Sequence, residues 1–166
     1  MSGINWTSFI VRIPVNASAE QLYRCWSTRA GMESWFLRLS EYKQPNGALL
    51  ANDEQVQTGD SYTWLWHGWD DDTVERGEIL HCNGKDELKF SFGKAGICTV
   101  SIKEEKNTTL VELLQENIPD DEQGKQYWHT GCKTGWTFYL ANLKSIAEGG
   151  LDLRNRDAHL RNVINS

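Results

Sequence analysis

Two hydrophobic periods divide this chain. From Trp6 to Pro14, Phe9, Val11 and Ile13 alternate with Ser8, Ile10 and Arg12. That period of two predicts a strand with one buried face, and Pro14 is tolerated at its end. Ser18-Ala19-Glu20-Gln21 then reads as a capping box, with Leu22, Cys25 and Trp26 at helical spacing behind it. This predicts a short helix ending near Ser27. Thr28 caps a second short helix through Trp35, despite Gly31. Phe36 to Tyr42 returns to strand, Pro45-Asn46-Gly47 turns, and polar Asn52 to Gly59 is a loop.

A meander follows. Tyr62, Trp64 and Trp66 alternate with Ser61, Thr63, Leu65 and His67, and Asp70-Asp71-Asp72 punctuates. Thr73 to His81 is the next strand, with Gly77 marking a bulge or a close approach. Asn83-Gly84 predicts a type I′ hairpin. Leu88, Phe90 and Phe92 alternate, then Cys98, Val100 and Ile102. Thr108 to Glu116 is the last strand, with Val111, Leu113 and Gln115 on one face. From about Glu122 to Glu148 the period becomes helical. Trp128, Cys132, Trp136, Tyr139, Leu140 and Leu143 form one stripe, and Gly149-Gly150 stops it. Such a helix is on the order of 40 Å long, enough to cross a whole sheet. Strand, two short helices, meander and long helix make an α+β order rather than alternating α/β.

Length and charge narrow the function classes. With 166 residues the chain suits one domain over 1–150, followed by an amphipathic tail over 151–166. Its formal charge of −6 argues against nucleic acid and anionic membrane surfaces as partners. No apolar run approaches a membrane span, and Met1 to Asn5 lacks a basic start and apolar run, so a cytoplasmic protein is expected. Cys25, Cys82, Cys98 and Cys132 form no Cys-x-x-Cys pair and are expected as free thiols.

The informative excess is aromatic: eight Trp, five Tyr and five Phe. Tyr62, Trp64 and Trp66 share one strand face; Phe90 and Phe92 share another; Trp128, Cys132 and Trp136 share a helix face. Solid core and ring-lined pocket are both open readings, and a one-residue slip would exchange the faces of Trp64 and Leu65. His67, His81 with Cys82, and His129 with Cys132 supply only pairs of metal ligands where zinc takes three or four, so no metal site is expected. No phosphate loop, dinucleotide fingerprint or nucleophile elbow occurs, and no cofactor is implied. His67 and Glu78 are the candidates if the cavity is an enzyme's. In the tail, Leu151, Leu153, Leu160, Val163 and Ile164 carry more apolar surface than a free tail should. They pack along the chain's own sheet or support a homodimer, and Asp157 is placed to cap a last turn.

Particular residues carry a resemblance. Cys25-Trp26-Ser27-Thr28, Gly31-Met32 and Trp35-Phe36 resemble the helix-turn-helix opening of the START-related lipid-transfer superfamily, in its branch homologous to the activator of the heat-shock ATPase. Gly59 to Trp66, Gly77 to Ile79 and Gly135 to Lys144 look like that branch's middle and terminal patterns. The resemblance spans about residues 4 to 150. It implies a helix-grip fold, a seven-stranded antiparallel sheet wrapped around a long C-terminal helix. It also implies a cavity between helix and sheet of the kind that holds apolar ligands in that superfamily; with the aromatic excess, the expectation is a small apolar or aromatic ligand bound there without catalysis. Trp26, Trp35, Tyr62, Trp64, Trp66, Phe90, Phe92, Trp128, Cys132 and Trp136 are the expected ligand-binding residues. The alternatives are an interaction module acting on a chaperone-type ATPase and a cavity enzyme of unknown reaction. Within 166 residues the co-chaperone's additional N-terminal domain is not expected.

Overall fold

A computed structural model describes residues 3–164. Met1, Ser2, Asn165 and Ser166 lie outside the described residues, and with them the ends of the leader and tail readings. The order is β1 (Phe9–Pro14), α1 (Ala19–Ser27), α2 (Arg29–Trp35), β2 (Leu39–Lys43), β3 (Ser61–Leu65), β4 (Val74–Cys82), β5 (Glu87–Ser91), β6 (Ile97–Glu105), β7 (Thr108–Glu116), a π-helical segment (Gly124–Gly131) and α3 (Cys132–Ala147). The strands form one antiparallel sheet in the order β1-β7-β6-β5-β4-β3-β2. This is the helix-grip architecture. Among the described residues, the only non-sequential neighbours are β1 and β7, joined over six residue pairs from Phe9↔Gln115 to Pro14↔Leu110.

Both short helices start where their caps stand. The Ser18 hydroxyl accepts from the Gln21 N–H, and the Thr28 hydroxyl accepts from the Gly31 N–H. Leu22, Tyr23 and Trp26 of α1 and Met32 and Trp35 of α2 are buried against the sheet. Register settles the face ambiguity of β3: Tyr62 and Trp64 point into the core, opposite Gly77 and Glu75 of β4. Gly77 is a close approach. A Cβ there would lie 2.5 Å from the Tyr62 hydroxyl, which donates to the Ser91 carbonyl. The irregularity of β4 comes later, between Ile79 and His81.

Three local expectations are corrected. Strand β1 begins at Phe9 rather than Trp6, because Asn5 folds the approach into a turn by accepting from the Thr7 N–H and hydroxyl. Strand β2 begins at Leu39, since Phe36 and Leu37 still bond back to the Met32 carbonyl at the end of α2. Asn83-Gly84 is not a two-residue hairpin. Gly84 has a positive φ but Asn83 does not, and the Asn83 side chain accepts from the N–H groups of Lys85, Asp86 and Glu87 to organise a longer loop.

The long helix departs from its expected geometry in its first two turns. Residues 124–131 are wound as π-helix, and the Cys132 N–H reaches the Tyr127 carbonyl five residues back. The wider winding advances each residue by a smaller angle, so the α-helical stripe drifts. His129 is buried where strict α spacing would bury Trp128. Beyond Cys132 the stripe is as the sequence predicts, with Trp136, Leu140 and Leu143 buried.

The tail is tied to the body by its polar residues. Arg154, whose side chain is fully buried, donates to the carbonyls of Glu33, Ser34 and Leu37 at the end of α2. It also forms a two-point pair with Asp152 at 2.9 and 3.0 Å. Asn142 of α3 joins this knot, donating to the Trp35 carbonyl at 2.7 Å and accepting from the Leu153 N–H. The unpaired carbonyls at the C-terminus of α2 are thereby satisfied by a cation, the sign that its dipole favours. Leu151, Leu153, Leu160 and Ile164 remain exposed. Asp157 accepts from the His159 N–H in a tight turn, with no helix behind it.

Candidate functional site: an aromatic cavity beside the long helix

The inner faces of helix and sheet hold two zones of rings. The first is packed solid. Trp26 meets Trp35 edge-on at 4.5 Å, Tyr62 stacks on Trp64 at 3.8 Å, and Trp64 meets Phe90 at 5.1 Å. All five side chains are buried. Phe36 and Trp136, 4.9 Å apart, bridge this cluster to the second zone.

There the packing opens into a cavity of about 460 Å³ between the start of the long helix and the end of β3. Its walls are Phe36 after α2, Trp66 and Trp69 after β3, Thr73 before β4, Phe92 after β5, and Tyr127, Gly131, Cys132, Thr134, Gly135, Trp136 and Tyr139 on the helix. Seven of these twelve carry aromatic rings, and none carries a formal charge at neutral pH. Gly131 and Gly135 contribute only backbone to the helix wall. Trp69 and Tyr127 are half exposed at the mouth.

Of the ten residues expected at the site, Trp66, Phe92, Cys132 and Trp136 line the cavity. Trp26, Trp35, Tyr62, Trp64 and Phe90 form the packed floor beneath it. Trp128 is not brought into it, since the π turns rotate it aside. Trp69, Tyr127 and Phe36 complete the walls and were not singled out by periodicity. Trp69 and Tyr127 lie in a loop and an irregular helix, where neither period of two nor period of 3.6 applies.

A single polar hub supports the cavity's rear wall. Gln115 of β7 accepts from the Trp136 indole N–H at 2.9 Å and lies 3.6 Å from the Cys98 thiol. Its amide donates to the Ala95 carbonyl at 3.0 Å and the Trp128 carbonyl at 3.1 Å. This buried side chain thus locks the Trp136 ring and the π segment to the sheet. Burial pushes the thiols of Cys98 and Cys132 up, so neither is a ready nucleophile. All four cysteines are free thiols.

The two acid–base candidates fall outside the cavity wall. Glu78 projects from the outer face of β4. His67 is half-buried, and burial together with Arg154, Arg156 and Arg38 holds its pKa below the ordinary value. His81 pairs with Glu87 at 3.5 Å, and His129 faces the Ser8 carbonyl at 3.3 Å. Among the described residues, no group of three metal-ligating side chains converges. Nor is any helix long and apolar enough to cross a membrane.

The seven-stranded antiparallel sheet, the two short helices and the gripped long helix define the helix-grip class of folds. The family model of Activator of Hsp90 ATPase homolog 1-like proteins matches residues 16–148, and the chain belongs to that family. Among solved structures, the fold is similar to the Aha1 dimer from Colwellia psychrerythraea, at TM-score 0.65 and 15% identity over 86% of this chain and 97% of that one. It is also similar to SSP2350 from Staphylococcus saprophyticus, at TM-score 0.68 and 19% identity over 89% and 96%. CalU16 from Micromonospora echinospora is a third, at TM-score 0.62 and 19% identity over 88% and 77%. Among curated proteins, none matches the chain in sequence.

Proposed function

We propose that this protein binds a small, flat, apolar or aromatic molecule in the cavity beside the long helix, without chemical turnover. The observation that carries the reading is the unfilled space itself: about 460 Å³ walled by seven aromatic rings. Ligand sites typically measure about 300–1,000 Å³, and flat rings favour flat ligands through offset stacking. Family membership supports a fold with such a space. Support for a module acting on a chaperone-type ATPase comes from the family's name alone.

Titration with 2-naphthalenemethanol, followed by calorimetry, tests the proposal. One saturable site is expected in the wild type, with affinity lost in Trp66→Ala. No heat of binding at millimolar ligand would reject it.

A homodimer is a second, separable reading. The Colwellia structure is a dimer, and Leu160 and Ile164 of this chain expose apolar surface. Light scattering on the full chain and on Leu160→Ser/Ile164→Ser decides it, because both keep the Arg154 anchor. A dimer lost on substitution supports the reading, and a monomer in both cases rejects it.

A further inference from the structure

We propose that the cavity selects an organic cation, an amine carried on an aromatic or apolar body, with Glu75 as its counter-charge; this rests on the cavity being a ligand site. Glu75 lies on the inner face of β4, in phase with Gly77 and Ile79 and directly across from Trp64. Alternation therefore turns its side chain inward, and the residue is only partly exposed. Glu75 is not itself a lining residue, but it adjoins three that are: Thr73 lies two positions earlier in the chain, Phe92 precedes Gly93, and Cys132 of the helix is close enough to feel its charge. The carboxylate lies over Gly93, where a Cβ would come within 2.7 Å of its Oε1. Glycine at that position leaves the space the carboxylate occupies.

Among the described residues, no cation pairs with Glu75. Its stabilising contact is the Arg76 backbone N–H. A half-buried carboxylate set just behind the ring-lined cavity wall is costly to leave unpaired. Among the described residues, the one buried Lys or Arg is Arg154, and it is committed to Asp152 and three carbonyls. The titratable groups facing Glu75 are Tyr62 of β3 and Cys132 of the helix, and burial keeps both neutral. Burial pushes the Glu75 carboxyl itself upward, so folding disfavours its charge, and a bound ammonium would restore it. The rings act in the same direction. An ammonium over the face of Trp, Tyr or Phe is attracted by the ring quadrupole. An anion would meet the negative ring faces and Glu75 together. The wall residues, the carboxylate and the net charge of −6 all favour a positive ligand.

Calorimetry at neutral pH on the full chain compares three probes of one shape: 2-naphthylmethylamine, 2-naphthalenemethanol and 2-naphthoate. The amine is expected to bind about tenfold or more tightly than the alcohol, as a charged hydrogen bond provides, and the carboxylate most weakly. Glu75→Gln should bring the amine down to the level of the alcohol. Glu78→Gln, which removes the same charge from the outer face, should change neither. Glu75→Gln should also melt at a higher temperature than wild type at neutral pH, because it removes a carboxylate whose ionisation opposes folding. Equal binding of amine and alcohol in the wild type would overturn the proposal and leave the cavity reading standing. So would an amine preference that survives Glu75→Gln. Failure of all three probes to bind would overturn both.

Discussion

Buried polar side chains do a disproportionate share of the ordering at the level of single residues. Gln115 uses both ends of its amide and so fixes the Trp136 indole, the turn at Ala95 and the π segment together. Trp136→Phe keeps a ring in place but leaves the Gln115 carbonyl with only a weak thiol partner. The expected loss is about 1–3 kcal/mol in urea unfolding. Arg154 is the more consequential. Arg154→Met leaves three carbonyls and Asp152 without their buried cation and should cost about 3–5 kcal/mol. Neither role could be read from the chain. Gln115 is visible as an inward position of β7, but its partners lie on another turn and on the helix. Arg154 sits in a tail whose apolar residues drew the eye, although the tail is held by its charges.

Among the elements, α1, α2 and the meander are well encoded locally. Ser18 and Thr28 cap as their positions suggest, and strict alternation places the inward residues of β5, β6 and β7. The helix start is the exception, because π winding has no periodic signature in this sequence. The tail's attachment should show in its pH dependence. Burial opposes the charge of Asp152, but the hydrogen bonds and charge of Arg154 and Arg156 outweigh it and hold the carboxyl well below the usual range. A depressed carboxyl contributes stability that is complete above its unfolded value of 3.8 and is lost as pH falls towards its folded one. Melting temperature followed down to about pH 2 should drop in the wild type. It should drop less in Asp152→Asn, which begins from a lower neutral-pH value.

For the whole molecule, the division between packed rings and open rings makes a paired test. Trp64 is 1% exposed between Tyr62 and Phe90, so Trp64→Ala should cost about 3–5 kcal/mol. Trp66 stands two residues on, on the cavity wall, so Trp66→Ala should cost less stability and more ligand affinity. Thermal melts and calorimetry on the two variants separate these effects. Equal stability losses would place Trp66 in the packed floor instead.

Alternation and helical period, taken along the chain, determined the element order, the α+β class and the inward faces of β5, β6 and β7, because each depends on neighbours within a few residues. Resemblance extended this to the helix-grip fold. Only the tertiary structure decided which rings pack and which stay open. Trp64 and Trp66 have the same parity and chemistry, and what separates them is where β3 ends against the helix. Glu75 shows the same limit. Its inward phase is written in β4, but its isolation from any cation depends on β3, the turn at Gly93 and the helix meeting around it, contacts set by distances that no local period records.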